Sequence, residues 1–129
     1  MQKFIPDVFK GDNRIILLNG EPVGSVLRVP KAGEFIASID RGAGVFSCGL
    51  SKQDLELCEA LKLPLRKHGL YLAAIDVIGN YLTEINVSCP AGIQPIENLT
   101  GKPLSRMIIE WELAEAERLV HKKIQYNKA

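Results

Sequence analysis

Asp76 stands in the middle of an otherwise apolar run, LYLAAIDVI (Leu70 to Ile78). A carboxylate there is costly to bury unless something pairs with it. Just downstream, in YLTEINV (Tyr81 to Val87), Glu84 and Asn86 lie two apart, so on a strand they point to one face. Whether Asp76 joins them depends on the turn. A two-residue loop at Gly79-Asn80 pairs Asp76 with Thr83 and sends it to the face opposite Glu84. A three-residue loop, Gly79 to Tyr81, pairs Asp76 with Glu84 and gathers all three oxygens. We expect the three-residue loop, with Asn80 or Tyr81 absorbing a bulge. Two carboxylates and an amide oxygen on neighbouring strands make a hard-oxygen set, which suits Mg²⁺ shared with substrate phosphates. Such a site clamps a nucleotide triphosphate and neutralises charge during phosphoryl transfer. The competing possibility is a surface hairpin whose acids merely face water.

The elements around these residues follow from pattern. Gln2 to Ile5 is short and extended, halted by Pro6. RIILLN (Arg14 to Asn19) is strand-like, Asn19-Gly20 is a hairpin signal because both residues tolerate positive φ, and the return strand runs from about Pro22 to Val29. Pro30 to Gly44 reads as a long loop with little periodicity, of a length that is usually either functional or disordered. Ser51 with Asp54 forms a helix-capping pair, followed by apolar Leu55, Cys58, Leu61 and Leu65, with Pro64 able to bend the last turn and Gly69 ending it. Leu70 to Ile78 suits a strand buried on both faces. A final helix spans Pro103 to about Lys123, with Leu104, Met107, Ile108, Trp111, Leu119 and Val120 at helical spacing and Trp111 as a core anchor. Acids Glu110, Glu112, Glu115 and Glu117 precede Arg118, Lys122 and Lys123, the order a helix dipole favours. The expected architecture is α+β, an antiparallel sheet with flanking helices that cover one side.

Composition sets the outer bounds. The chain has 129 residues, 47% apolar and 24% charged, the profile of one soluble globular domain. Sixteen Lys and Arg against fifteen Asp and Glu give a net charge of +1, which argues against binding nucleic acid through phosphate neutralisation. No apolar run reaches the ~20 residues that span a bilayer, and the N-terminus lacks a signal-peptide pattern. Cys48, Cys58 and Cys89 are odd in number and widely spaced, so free thiols in a reducing cytoplasm are expected. His68 reads as a helix-end cap and His121 as a solvated surface residue.

GDNRIILLNGEPVGSVLRVP (Gly11 to Pro30) followed by DVIGNYLTEINVSCPAGI (Asp76 to Ile93) closely resembles the C-terminal part of bacterial-type glutathione synthetase, an ATP-grasp ligase. The first block is similar to that family's glycine, aspartate, basic residue, arginine, strand and G-E-P-V run, and the second to its D-x-x-G, L-T-E-I-N-V and proline. E-x-N alone is shared by many ATP-grasp enzymes; the two blocks at this separation are far more specific. The resemblance implies an ATP-dependent carboxylate–amine ligase in which γ-glutamylcysteine is phosphorylated to an acylphosphate that glycine attacks. It also implies that residues 1–129 form one C-terminal ATP-grasp subdomain.

Carried over residue by residue, Asp76, Glu84 and Asn86 look like ligands of Mg²⁺ or Mn²⁺. Asp12 looks like a nucleotide-ribose contact, with Asn86 also on the nucleotide side. Arg14 and Arg28 look like active-site arginines near the transferred phosphoryl group and the substrate. Arg41 is the candidate anion-sequestering residue of the Pro30 to Gly44 loop, which reads about three residues shorter than in the family. The substrate loop, commonly threonine-serine-proline-threonine in the family, is Ser88-Cys89-Pro90-Ala91 here, so Cys89 and Ala91 fall at substrate-binding positions without hydroxyls, and Gln94 stands where arginine is common. The implied partners are ATP, a peptide-like carboxylate substrate and a small amine. To these is added either a chain carrying the first ATP-grasp half or a second copy of this one; neither nucleic acid nor membrane is expected. A non-catalytic scaffold and a ligase with another substrate are the alternatives. A scaffold has no physical reason to keep a carboxylate in an apolar strand.

Overall fold

The RIILL run becomes the centre of the fold. In the computed structural model, which describes residues 3–38 and 41–128, a 3₁₀ turn (Pro6–Lys10) leads into β1 (Asp12–Leu18), β2 (Glu21–Val29), β3 (Gly44–Ser47), α1 (Lys52–Lys67), β4 (Leu72–Ile78), β5 (Tyr81–Asn86), α2 (Ile93–Thr100) and α3 (Leu104–Lys128). The strands form one antiparallel sheet in the order β3-β2-β1-β4-β5. The fold class is as the sequence implies, an α+β chain built on an antiparallel sheet. Four details differ: β3 and α2 are additional elements, and α3 continues beyond Lys123. The fourth is that helices cover both faces rather than one.

Alternation along β1 explains the two-sided cover. Ile15 and Leu17 point to one face, where they join Ala73, Ile75 and Val77 of β4 and Cys58 and Leu65 of α1. Ile16 points to the other and packs with Val26, Ala74, Ile96 of α2 and Leu104 of α3. Each large aliphatic chain buried in this way contributes about 1.5–3 kcal/mol. Leu55, expected on the buried stripe of α1, is instead 49% exposed. Burial pushes the Cys58 thiol up to about 11, with Asp54 adding to the effect, so this cysteine is an inert part of the core.

Local signals set the connections. Asn19 (φ 51°) and Gly20 (φ 77°) both take the positive φ of a type I′ hairpin turn, and Leu18 opposes Glu21 across it. Ser51 and Asp54 close a full capping box: Asp54 N–H donates to Ser51 Oγ at 3.1 Å and Ser51 N–H to Asp54 Oδ2 at 2.8 Å. Pro64 does not break α1, which runs on to Lys67; the backbone N–H of His68 then caps the carbonyls of Pro64 and Leu65. Trp111 is only partly buried, its ring 5.3 Å from that of Tyr71.

Gly24 lies beneath α2 and the start of α3. A Cβ there would meet Ile96 Cγ2 at 2.9 Å and Leu104 Cδ2 at 3.1 Å, atoms of two fully buried side chains. Gly24→Ala is expected to destabilise the chain by about 1–3 kcal/mol through overpacking, read as a lower urea midpoint at unchanged m-value.

Candidate functional site

The face that carries Ile16 and Val26 is apolar only where α2 and α3 cover it. Toward the other end of the same face the sequence changes to charge. Asp12 opposes Arg28 across β1 and β2, Arg14 opposes Asp76 across β1 and β4, and Asp76 opposes Glu84 across β4 and β5. Directly opposed residues share a face, so five charged side chains from four strands form one row, and Asn86, two residues beyond Glu84, lies on the same side.

Asp76 and Glu84 do face each other, but the turn is not the expected one. The loop has two residues, with Ile78 opposing Tyr81 and Gly79 at φ 58°. The compensating residue is Thr83, a bulge between Val77–Leu82 and Asp76–Glu84, and neither Asn80 nor Tyr81 absorbs it. Thr83 Oγ1 donates to the Asp76 carbonyl at 3.1 Å, which gives the bulge a side-chain anchor. Thr83 is a residue that sequence reasoning missed. Its only signal was a hydroxyl residue one place ahead of the acid.

Asp76 is 4% exposed and receives three charge-assisted hydrogen bonds. Arg14 donates from Nε to Oδ1 at 2.8 Å and from Nη2 to Oδ2 at 2.7 Å, while Arg28 Nη2 donates to Oδ2 at 2.7 Å. Arg28 also forks onto Asp12, Nε to Oδ1 at 2.6 Å and Nη2 to Oδ2 at 2.8 Å. The carboxylate expected in the apolar run is therefore paired twice over. Burial alone would raise the Asp76 carboxyl, but the hydrogen bonds and charges of Arg14 and Arg28 outweigh it and hold the group below the usual carboxylate range. Asp12 goes the other way: burial lifts its carboxyl more than Arg28 lowers it, and the neighbouring negative charge of Asp76 adds to the rise.

Glu84 ends the row and is open to solvent, 3.9 Å from Arg14 Nη2. Asn86 closes a turn at the end of β5, its Oδ1 accepting the backbone N–H of Ser88 at 3.3 Å and of Cys89 at 3.1 Å. Arg14 Nη1 reaches the same loop and donates to the Ala91 carbonyl at 3.3 Å. Gly92, at φ 114°, opens α2 so close to this arginine that a Cβ would lie 3.1 Å from Arg14 Cδ. One guanidinium thus fastens the buried acid to the loop of Cys89 and Ala91, both of which are exposed. Arg41 does not join the cluster: it starts a turn ahead of β3, its side chain is exposed, and its backbone N–H donates to Ser38 O.

The donor set fits a divalent cation. Asp76 Oδ1 accepts one hydrogen bond and keeps a lone pair, and Glu84 is exposed; Asn86 lies on the same face, but its Oδ1 already accepts two backbone N–H groups and must give up one of them to ligate. Among the described residues no three His, Cys, Asp or Glu side chains form a ready cage, so the amide and oxygens of a bound substrate must complete the shell, as Mg²⁺ tolerates. At the end of the same hairpin lies an open cavity of about 770 Å³, lined by Phe4, Phe35, Ile78, Tyr81, Leu82 and Thr83. Its lining is mainly apolar and aromatic, with Lys3 and Asp7 also part of it, and it is large enough for a flat ring system. Among the described residues no helix is long and apolar enough to cross a membrane.

Comparison with known proteins places the chain in a family. Residues 1–101 match the family model described as prokaryotic glutathione synthetase, ATP-grasp domain. The chain is similar to glutathione synthetase of Thermosynechococcus vestitus, 42% identical over 111 residues, which is 86% of this chain and 35% of the relative. It is similar to glutathione synthetase of Synechocystis sp., 43% identical with the same coverage. It is also similar to glutathione synthetase of Rhodopseudomonas palustris, 42% identical over 118 residues, 92% of this chain and 37% of the relative. The chain thus spans about a third of the length of the curated relatives it matches.

Proposed function

Because this chain belongs to the prokaryotic glutathione synthetase ATP-grasp family, we propose that it is the metal- and phosphate-holding part of an ATP-dependent carboxylate–amine ligase. The observation that carries this reading is the register of β4 and β5, which sets Asp76 against Glu84 beside two buried arginines. We take residues 1–129 as one C-terminal ATP-grasp subdomain. The facing wall of the nucleotide clamp comes from the rest of the protein or from a partner chain.

Asp76, Glu84 and Asn86 would hold Mg²⁺ or Mn²⁺, whose charge offsets that of the ATP phosphates. Arg14 and Arg28 supply fixed positive charge where negative charge develops on the transferred phosphoryl group. Their orientation is already determined. Asp12 and Asp76 grip one edge of each guanidinium, and Arg28 Nη1 donates to no described residue, leaving its protons for phosphate or carboxylate oxygens. Asp12 acts on the ribose side, and the aromatic groove at Phe4, Tyr81 and Leu82 suits the base. Arg41, on the loop before β3, would screen the acylphosphate from water once the clamp closes. The loop of Ser88 to Ala91, tied to Arg14, would carry the peptide-like substrate, γ-glutamylcysteine, whose acylphosphate is attacked by the amine of glycine. A second reading keeps the chemistry and changes the carboxylate or amine. Exposed Cys89 and Ala91, which offer no hydroxyl, favour it. Free Cys48, Cys58 and Cys89 suit a reducing cytoplasm.

A chimera tests the reading. The corresponding third of the Synechocystis relative is replaced by this chain, and ATP-dependent phosphate release is measured with γ-glutamylcysteine and glycine. Release that depends on both substrates and disappears with Glu84→Gln is expected. A folded chimera that makes no phosphate with these or related substrates would contradict it.

A further inference from the structure

Only the first turns of α3 are used by the core. Leu104 and Ile108 are buried, whereas Ile109, Leu113, Val120 and Ile124 are each about half exposed or more. Together with exposed Ala116, these residues are spaced by four, three, four and four, which places them on one stripe of the helix. At 100° per residue that stripe lies nearly opposite the Leu104–Ile108 side, so it faces away from the sheet. Helices with two apolar stripes usually pack on both.

The charges indicate what covers the second stripe. Between Glu110 and Glu117 the helix carries Glu110, Glu112, Glu115 and Glu117 and no base; from Arg118 to Lys123 it carries Arg118, His121, Lys122 and Lys123 and no acid. Glu110 and Glu115 are partly satisfied within the helix by Arg106 at 2.7 Å and Arg118 at 2.6 Å. No ion pair engages Glu112, Lys122 or Lys123 among the described residues. We propose that the outer face of α3 is a self-association surface on which a second copy of this chain docks antiparallel. Two stripes crossed about Ala116 set Ile109 against Ile124 and Leu113 against Val120, and the small alanine lets the helices approach. The same crossing brings Glu112 of one copy, which flanks one side of the stripe, level with Lys123 of the other, and Glu110, on the opposite flank, level with His121. A parallel pair would set acid against acid and base against base. An antiparallel two-fold contact is isologous and closes at two copies.

Sedimentation velocity on the 129-residue chain tests this without reference to any ligand. The expected result is a dimer of twice 14.2 kDa at tens of micromolar, with a dissociation constant that rises severalfold when salt is raised from about 50 to 500 mM. Leu113→Glu with Val120→Glu should give a monomer with unchanged helical circular dichroism. Lys123→Glu should weaken the dimer severalfold, and mixing that variant with Glu112→Lys should restore association. A wild-type monomer at these concentrations would overturn the proposal. So would a dimer that tightens with salt, or one indifferent to changes at Leu113 and Val120.

Discussion

Asp76→Ala should lower the stability of the chain by about 3–5 kcal/mol, the cost of leaving buried cations without their counter-charge. The substitution strands two guanidinium groups at once, because Arg14 and Arg28 both donate to this carboxylate. Arg28 retains Asp12, but Arg14 is left only with the Ala91 carbonyl and Glu84 at 3.9 Å. Urea unfolding measures the loss. The pH dependence carries the same signature. A carboxyl held below its ordinary range in the folded state contributes stability that is complete above the unfolded value, about 3.9, and is lost as pH falls through the folded one. The wild-type chain should therefore lose more stability than Asp76→Asn below about pH 4. Asp12, raised by burial, acts in the opposite sense: its contribution is present at low pH and fades as pH rises through its folded value. A stability–pH curve for Asp76→Asn parallel to wild type through this window would show that the pairing has little energetic weight.

Glu84→Gln should have the reverse profile. Glu84 is exposed and its single charged neighbour is distant, so the substitution should change stability by no more than about 0.5 kcal/mol. Yet as one of two carboxylates facing the proposed cation it should weaken Mg²⁺-dependent ATP binding by about 10²-fold, since groups one step removed from a metal already cost 10–100-fold. Calorimetric titration with ATP at fixed Mg²⁺ gives the comparison. An unchanged affinity would remove Glu84 from the metal set. Together the two variants divide the row between a buried half that holds the sheet and an open half that holds ligand.

Much of this is legible in the amino-acid sequence. The apolar run around Asp76 required a partner for its carboxylate, and the E-x-N spacing put Glu84 and Asn86 on one face. Asn19-Gly20 specified its hairpin, and Ser51 with Asp54 specified its cap. What could not be read was how Asp76 came to face Glu84. A period-two pattern counts residues but does not locate a bulge, so a longer loop and a bulge at Thr83 are equivalent from sequence. The partners of Asp76 were also invisible, since Arg14 and Arg28 lie far from it in sequence and meet it only through strand order. Burial on α3 failed for a related reason. Leu119 and Val120 continue the helical period but are 45% and 57% exposed, left uncovered by the described residues.

The buried arginines bear directly on the central claim, that this hairpin grips a divalent cation shared with nucleotide phosphate. With Asp76 already neutralised by two guanidinium groups, the cation alone should bind weakly, and phosphate oxygens should be needed to complete the site. Paramagnetic broadening of amide resonances by substoichiometric Mn²⁺, with and without ATP, reads this at residue level. Mn²⁺ alone should have little effect, and with ATP the signals around Asp76, Glu84 and Asn86 should be lost selectively while those of α1 persist. Broadening centred on the Glu110 to Glu117 stretch of α3, or none near the hairpin with ATP present, would contradict it.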